Sequence, residues 1–210
     1  MTESRGRGFR VSARFVAAAL LLSCVVCARL SSGGESAGKY RGRLLVAQPQ
    51  VRDPRFAKSV VYVVAHDSTG TMGLVINKVM GEVDSREILE NLGVEPSKQQ
   101  MELLLRFGGP VELDHGFVLH SPDFLPKTSQ RIDSTVAFSA DAETVRAIIE
   151  HRGPRSYLIA FGYAGWGAGQ LEAEIERGDW RIMSSDKSSV FTENPDGLWD
   201  RLMKDQVMRM

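Results

Sequence analysis

The 210-residue chain has two cysteines, Cys24 and Cys27, both within its first 28 residues. The chain beyond residue 28 therefore has no disulfide, no thiolate metal ligand and no cysteine nucleophile. An excess of charge is also missing, with 26 Lys and Arg against 26 Asp and Glu. Setting aside the four arginines and one glutamate of residues 1–28 leaves 22 bases and 25 acids, a net charge of −3. A nearly neutral domain lacks the broad basic field that drives binding to a phosphate backbone, so there is no strong nucleic-acid signal. The uncharged stretch Phe15–Ala28 is 14 residues long, short of the roughly 20 that a helix needs to cross a bilayer.

What is present begins with a basic head, Arg5, Arg7, Arg10 and Arg14 opposed only by Glu3, followed by that apolar stretch. The order reads as a signal peptide over residues 1–28. Val26-Cys27-Ala28 offers a cleavage point after Ala28, and Leu21-Leu22-Ser23-Cys24 resembles a lipoprotein box with Cys24 lipidated. An upstream mis-assigned start or an Arg-rich transit peptide is the alternative. The expectation is an exported protein, periplasmic or anchored as a lipoprotein, that meets the membrane only through this segment; a cytoplasmic protein is the alternative. Residues 29–41, rich in Ser and Gly, read as a flexible tether, and 42–210 as a single folded domain.

Short apolar runs at Leu44–Ala47, Val60–Ala65 and Met72–Ile76, separated by Pro, Asp or Gly, predict strands. Val60–Ala65 does not alternate, which predicts a central strand covered on both faces. His66–Thr71 is too short for a helical crossover and predicts a hairpin. Helices are predicted at Asp84–Leu92, Ala140–Arg152, Gln170–Gly178 and Pro195–Lys204. Ser139 or Asp141 can cap the second of these, and His151-Arg152-Gly153-Pro154 can stop it. Tyr157–Phe161 reads as a strand that leads into a glycine-rich bend, Gly162–Gly169. Hairpins early and strand–helix units late favour α+β over a doubly wound parallel sheet.

Several segments then act together: Leu44-Leu45-Val46-Ala47-Gln48-Pro49, Asp53-Pro54-Arg55-Phe56, Met72-Gly73-Leu74-Val75-Ile76-Asn77-Lys78, Gly108-Gly109-Pro110-Val111, Gly116–Ser121 and Phe161–Ile175. In this order and spacing, from about Gly42 to Lys204, the chain resembles the AlgH/YqgE family. The resemblance implies an α+β fold whose mixed sheet forms a pseudo-barrel with flanking helices. It implies no established catalytic activity or cofactor, and the AlgH branch is named for a proposed role in regulating alginate genes. The export-type segment ahead of the first strand departs from the family's usual pattern and sits poorly with a transcriptional role.

Each candidate site residue has a structural reading beside its functional one. The Gly162–Gly169 bend, with Gly162, Gly165, Trp166, Gly167 and Gly169, could present backbone N–H groups to an anion at a helix start. It is neither a dinucleotide-binding nor a Walker motif, and its glycines equally serve a tight backbone while Trp166 packs. Gly108 and Gly109 before Pro110 could approach a ligand or simply turn the chain. His66, Asp114, His115 and His120 are the metal-competent side chains, but a closed site needs about four converging ligands. His115 and His120 fall on opposite faces of any regular strand. Asn77 could orient a substrate or bond backbone at a strand end. His120 beside Ser121 is no working base–nucleophile pair, since adjacent side chains diverge. Arg55 and Phe56 could face a partner. The sequence thus assigns no catalytic residue, metal or cofactor. It points to a non-enzymatic binding or regulatory domain whose partner is another protein. A small-ligand (anion or nucleotide-like) binder or enzyme built on the bend, and a transcriptional regulator by family inheritance, are the alternatives.

Overall fold

A computed structural model describes residues 38–91, 95 and 99–207. The signal-like segment with Cys24, most of the tether, and Leu92-Gly93 at the end of the first predicted helix lie outside these residues. The strands are β1 (Arg43–Ala47), β2 (Val60–Asp67), β3 (Gly70–Val75), β4 (Val79–Asp84), β5 (Glu102–Phe107), β6 (Val111–His120), β7 (Gln130–Arg131), β8 (Ala137–Ser139), β9 (Tyr157–Gly167) and β10 (Trp180–Ser184). The described helices are α1 (Ser85–Asn91), α2 (Ala142–Ile149), α3 (Gln170–Glu176), α4 (Lys187–Val190) and α5 (Leu198–Val207). The strands form one mixed sheet in the order β10-β1-β2-β3-β9-β6-β8-β7, with an antiparallel β4–β5 pair joined to β9 through parallel pairing of β5. This is an α+β, sheet-dominated half-barrel: the sequence pattern pointed to the class and the family resemblance implied the barrel-like sheet.

Val60–Val64 is fully buried because β2 lies between β1 and β3 with both faces covered. Val60, Tyr62 and Val64 enter the main core with Phe117, Leu119 and Phe138, closed by Val190, Leu198 and Leu202 of α4 and α5. Val61 and Val63 enter a second core with Trp166, Leu171 and Trp180, beneath α3. A third core packs Ile88 and Leu89 of α1 and Val145, Ile148 and Ile149 of α2 against Leu103, Leu105, Ile159 and Phe161. Each fully buried side chain of this kind stabilises the fold by about 1.5–3 kcal/mol. The hairpin at residues 66–71 forms with a loop of only two residues, since β2 runs on to Asp67 and β3 begins at Gly70.

Several boundaries differ from the sequence expectation. Packed structure begins before Gly42: Tyr40 is buried, and the Gly38 N–H donates to the His66 carbonyl at 3.0 Å. Helix α2 is shorter than predicted. Asp141 caps it, accepting from Thr144 N at 2.8 Å, while Ser139 belongs to β8. The backbone reverses at its end through His151, with φ 55°, in place of the expected glycine. The largest difference is the glycine-rich bend, most of which is strand.

Strand β9 extends to Gly167 because its second half pairs antiparallel with β3, Gly73 opposite Ala164 and Gly70 opposite Gly167. Its first half pairs with β5 on the same edge. The exchange of partners occurs where Gly108 and Gly109 cross Gly162: Val75 N donates to the Gly108 carbonyl and Gly108 N to the Phe161 carbonyl, both at 2.8 Å. A Cβ on any of these three glycines would lie well inside contact distance of opposing backbone, and Gly162 has φ 71°. Their work is a close crossing of main chains.

Candidate binding cleft

The β1–β2 connection, residues 48–59, lies over the end of the sheet that carries Trp166 of β9 and Trp180 of β10. Both indoles are buried, at 7% and 4% exposure, and a buried indole N–H needs an acceptor. One oxygen serves both: Glu174 Oε2, from α3, accepts from Trp166 Nε1 at 2.8 Å and from Trp180 Nε1 at 2.7 Å. The other oxygen accepts from Gln170 Nε2 at 2.9 Å, one helical turn earlier. Phe56 completes the cluster, its ring 6.4 Å from that of Trp166 and edge-on to that of Trp180 at 5.9 Å. The two tryptophans meet edge to face at 5.8 Å.

Above this aromatic floor opens a cleft of about 370 Å³, whose mouth carries Arg52, Asp53, Arg55, Arg177 and Asp179. Asp53 pairs with Arg55 at 2.6 Å, and Arg177 with Asp179 at 2.8 Å. The Arg55 guanidinium bonded to Asp53 holds that carboxyl below the usual carboxylate range. The Arg55 guanidinium also lies 6.0 Å from the centre of the Phe56 ring. An aromatic floor under an alternating charged rim can bury an apolar side chain and orient the polar chain around it.

Of the sequence candidates, Arg55, Phe56 and Trp166 line this cleft. The N–H of Gly167 is given to Gln170 Oε1 at 3.1 Å, leaving it no role in holding an anion. Gly165 lies against the Tyr163 ring, and Gly169 takes φ 72° ahead of α3. His66 packs beside the Tyr40 ring, with Nδ1 2.8 Å from Thr71 Oγ1 and Nε2 3.5 Å from Glu172 Oε1. Asn77 is a strand-end staple: its Oδ1 accepts from Val60 N at 2.7 Å and its Nδ2 donates to the Lys58 carbonyl at 2.9 Å. His115 sits beside Asp114 at 3.1 Å and Glu112 at 3.7 Å. His120 is fully buried and bonds to Ser139. Among the described residues no three His, Cys, Asp or Glu side chains are placed to hold a metal ion. The pentapeptide Gly34-Glu35-Ser36-Ala37-Gly38 spells Gly-x-Ser-x-Gly, yet it stands in the Ser- and Gly-rich segment ahead of β1, and only Gly38 is described.

Sequence reasoning offered Arg55 and Phe56 to a partner and missed Glu174 and Trp180. The available signal was two tryptophans flanking a short helix with an acid on it, which could have paired the indoles with that acid.

The AlgH-like family model matches residues 44–210. A UPF0301 protein of Methylococcus capsulatus is 42% identical over 163 residues, 78% of this chain and 89% of the relative. A UPF0301 protein of a Jannaschia species is 42% identical over 161 residues, 76% and 84%. The solution structure of the AlgH protein from Pseudomonas aeruginosa superposes with a TM-score of 0.68 at 34% identity, covering 84% of this chain and 90% of that one. A Corynebacterium diphtheriae crystal structure shares the fold at 20% identity, with a TM-score of 0.64 over 85% and 91%.

Proposed function

From the premise that the chain belongs to the AlgH-like family, we propose that it is a non-enzymatic binding domain that recognises a partner protein through the Phe56–Trp166–Trp180 cleft. The observation that carries this is the Glu174 carboxylate holding both buried indoles beneath a half-buried Phe56. Aromatic anchors beside arginines are the composition of interface hot spots, and a rigid floor lowers the ordering cost of binding. The partner supplies one apolar or aromatic side chain to the floor, and its neighbouring polar groups meet Arg52, Arg55 and Arg177. The net charge of −3 beyond residue 28 gives no support to direct DNA contact.

The domain works outside the cytoplasm, on the reading of residues 1–28 as an export signal. Among the described residues no helix is long and apolar enough to cross a membrane.

A photo-reactive residue in place of Arg52 tests the reading in the native cell, with the same group in place of Arg86 on α1 as control. Position 52 should give one discrete protein adduct, absent at position 86 and lost in Phe56→Ala. Equal adduct patterns at both positions, or an adduct indifferent to Phe56, would count against the cleft.

A further inference from the structure

We propose that Ser129 is a modification site, a nucleophile that takes an acyl group from an activated ester, its proton leaving through Ser139 to the buried His120. The site lies among β6, β8 and the loop ahead of β7, shares no residue with the aromatic cleft and stands independently of it.

The directions of the hydrogen bonds follow from which atoms can donate. His120 Nδ1 lies 3.0 Å from the Ser121 carbonyl oxygen, which can only accept, so Nδ1 carries the ring proton. His120 is fully buried, which favours the neutral ring. Its Nε2 is then an acceptor and takes the hydroxyl proton of Ser139 at 2.8 Å. That hydroxyl has no second proton to give. The Ser129 hydroxyl, 2.6 Å away, must therefore donate to it. The chain runs Ser129 to Ser139 to His120 Nε2, from a half-buried loop position to a fully buried base.

The parts are held from several sides. Ser139 ends β8, which pairs with β6 so that Val118 faces Ser139 and His120 faces Ala137. Thr128, next to Ser129, donates to Asp141 Oδ2 at 2.8 Å, fixing the loop to the start of α2. The Phe124 ring stands edge-on to His120 at 6.4 Å. The Ser129 oxygen keeps its lone pairs, while its proton has a two-step path to a nitrogen base.

In the reaction, Ser129 Oγ forms a bond to the acyl carbon and the ester C–O bond breaks. The alcohol leaves as its anion, the Ser129 proton passes to Ser139, and the Ser139 proton passes to His120 Nε2. The product is one acyl-serine per chain. Ser139 and His120 act as positioning residues, since neither touches the acyl donor.

The test uses the full chain with p-nitrophenyl acetate, following p-nitrophenolate release and mapping acetyl groups by peptide mass, with melting midpoints measured for every variant. Wild type should acetylate at Ser129 in preference to Ser68 and Ser188, and Ser129→Ala should lose that adduct. Ser139→Thr, which keeps the hydroxyl, should label near the wild-type rate. Ser139→Ala and His120→Asn should label about 10²-fold more slowly, the lower end of what a general base contributes. Asn keeps an amide beside Ser121 but carries no base, so His120→Asn removes basicity while leaving a polar group in the buried position. It also decides the question if Ser139→Ala does not fold. Acetylation of Ser129 no faster than of Ser68 and Ser188, or equal rates in Ser139→Thr and His120→Asn, would overturn the assignment.

Discussion

Replacing Glu174 by alanine removes the one acceptor shared by two buried indole N–H groups. Each donor left without a partner costs about 1–3 kcal/mol. Because Glu174 is itself half-buried and water can enter the cleft, the sum is discounted to roughly 2–4 kcal/mol. With a urea m-value of about 2 kcal/mol/M, the midpoint should fall by about 1–2 M. The measurement is urea unfolding followed by both tryptophan fluorescence and far-ultraviolet circular dichroism, whose coincidence tests two-state behaviour. Glu174→Gln should cost less, about 1 kcal/mol, since one carbonyl oxygen still faces the indoles. Its amide nitrogen would confront Gln170 Nε2, and Gln170 cannot turn over without withdrawing Oε1 from Gly167 N. A double-mutant cycle with Trp166→Phe isolates the shared bond, and a coupling of about 1 kcal/mol is expected. If Glu174→Ala costs less than about 0.5 kcal/mol, or the two changes simply add, the carboxylate does not organise the aromatic floor.

Gly162→Ala should destabilise by more than about 3 kcal/mol in thermal or urea unfolding, because its Cβ would meet the Gly109 carbonyl at φ 71°. Gly169→Ala, at φ 72° but with nothing within 4 Å, should cost only about 1–2 kcal/mol; equal losses would refute the crossing argument. Asn77→Ala leaves Val60 N and the Lys58 carbonyl without side-chain partners and should lose about 2–3 kcal/mol, read from the urea midpoint. Burial pushes the His120 ring below its ordinary value near 6.5. Between the folded and unfolded values the unfolded chain binds more protons, so stability should fall as pH drops below about 6.5 and stay level above it. For one proton the slope cannot exceed about 1.4 kcal/mol per pH unit, and the share due to His120 should be lost in His120→Asn, as midpoints taken from pH 5 to 8 would reveal.

The sheet-dominated α+β class, the central burial of β2, the tight hairpin and the capped helix at Asp141 were legible in the chain, because apolar period, turn residues and caps act over a few neighbouring positions. The family was legible too, in the order of its motifs. The glycine-rich segment misled, because a run of glycines has the local composition of a bend. Only the pairing of β9 with β3, residues about 90 positions apart, made most of it a strand. The site was still less visible. Phe56, Trp166, Glu174 and Trp180 converge from a loop, two strands and a helix, and His120 finds its partners at the Ser139 hydroxyl and the Ser121 carbonyl rather than at the neighbouring Ser121 side chain. Sequence determines what each short segment prefers, since those energies are local. Which side chains share an oxygen or pass a proton depends on distances between remote segments, and those are fixed only when the sheet closes around its cores.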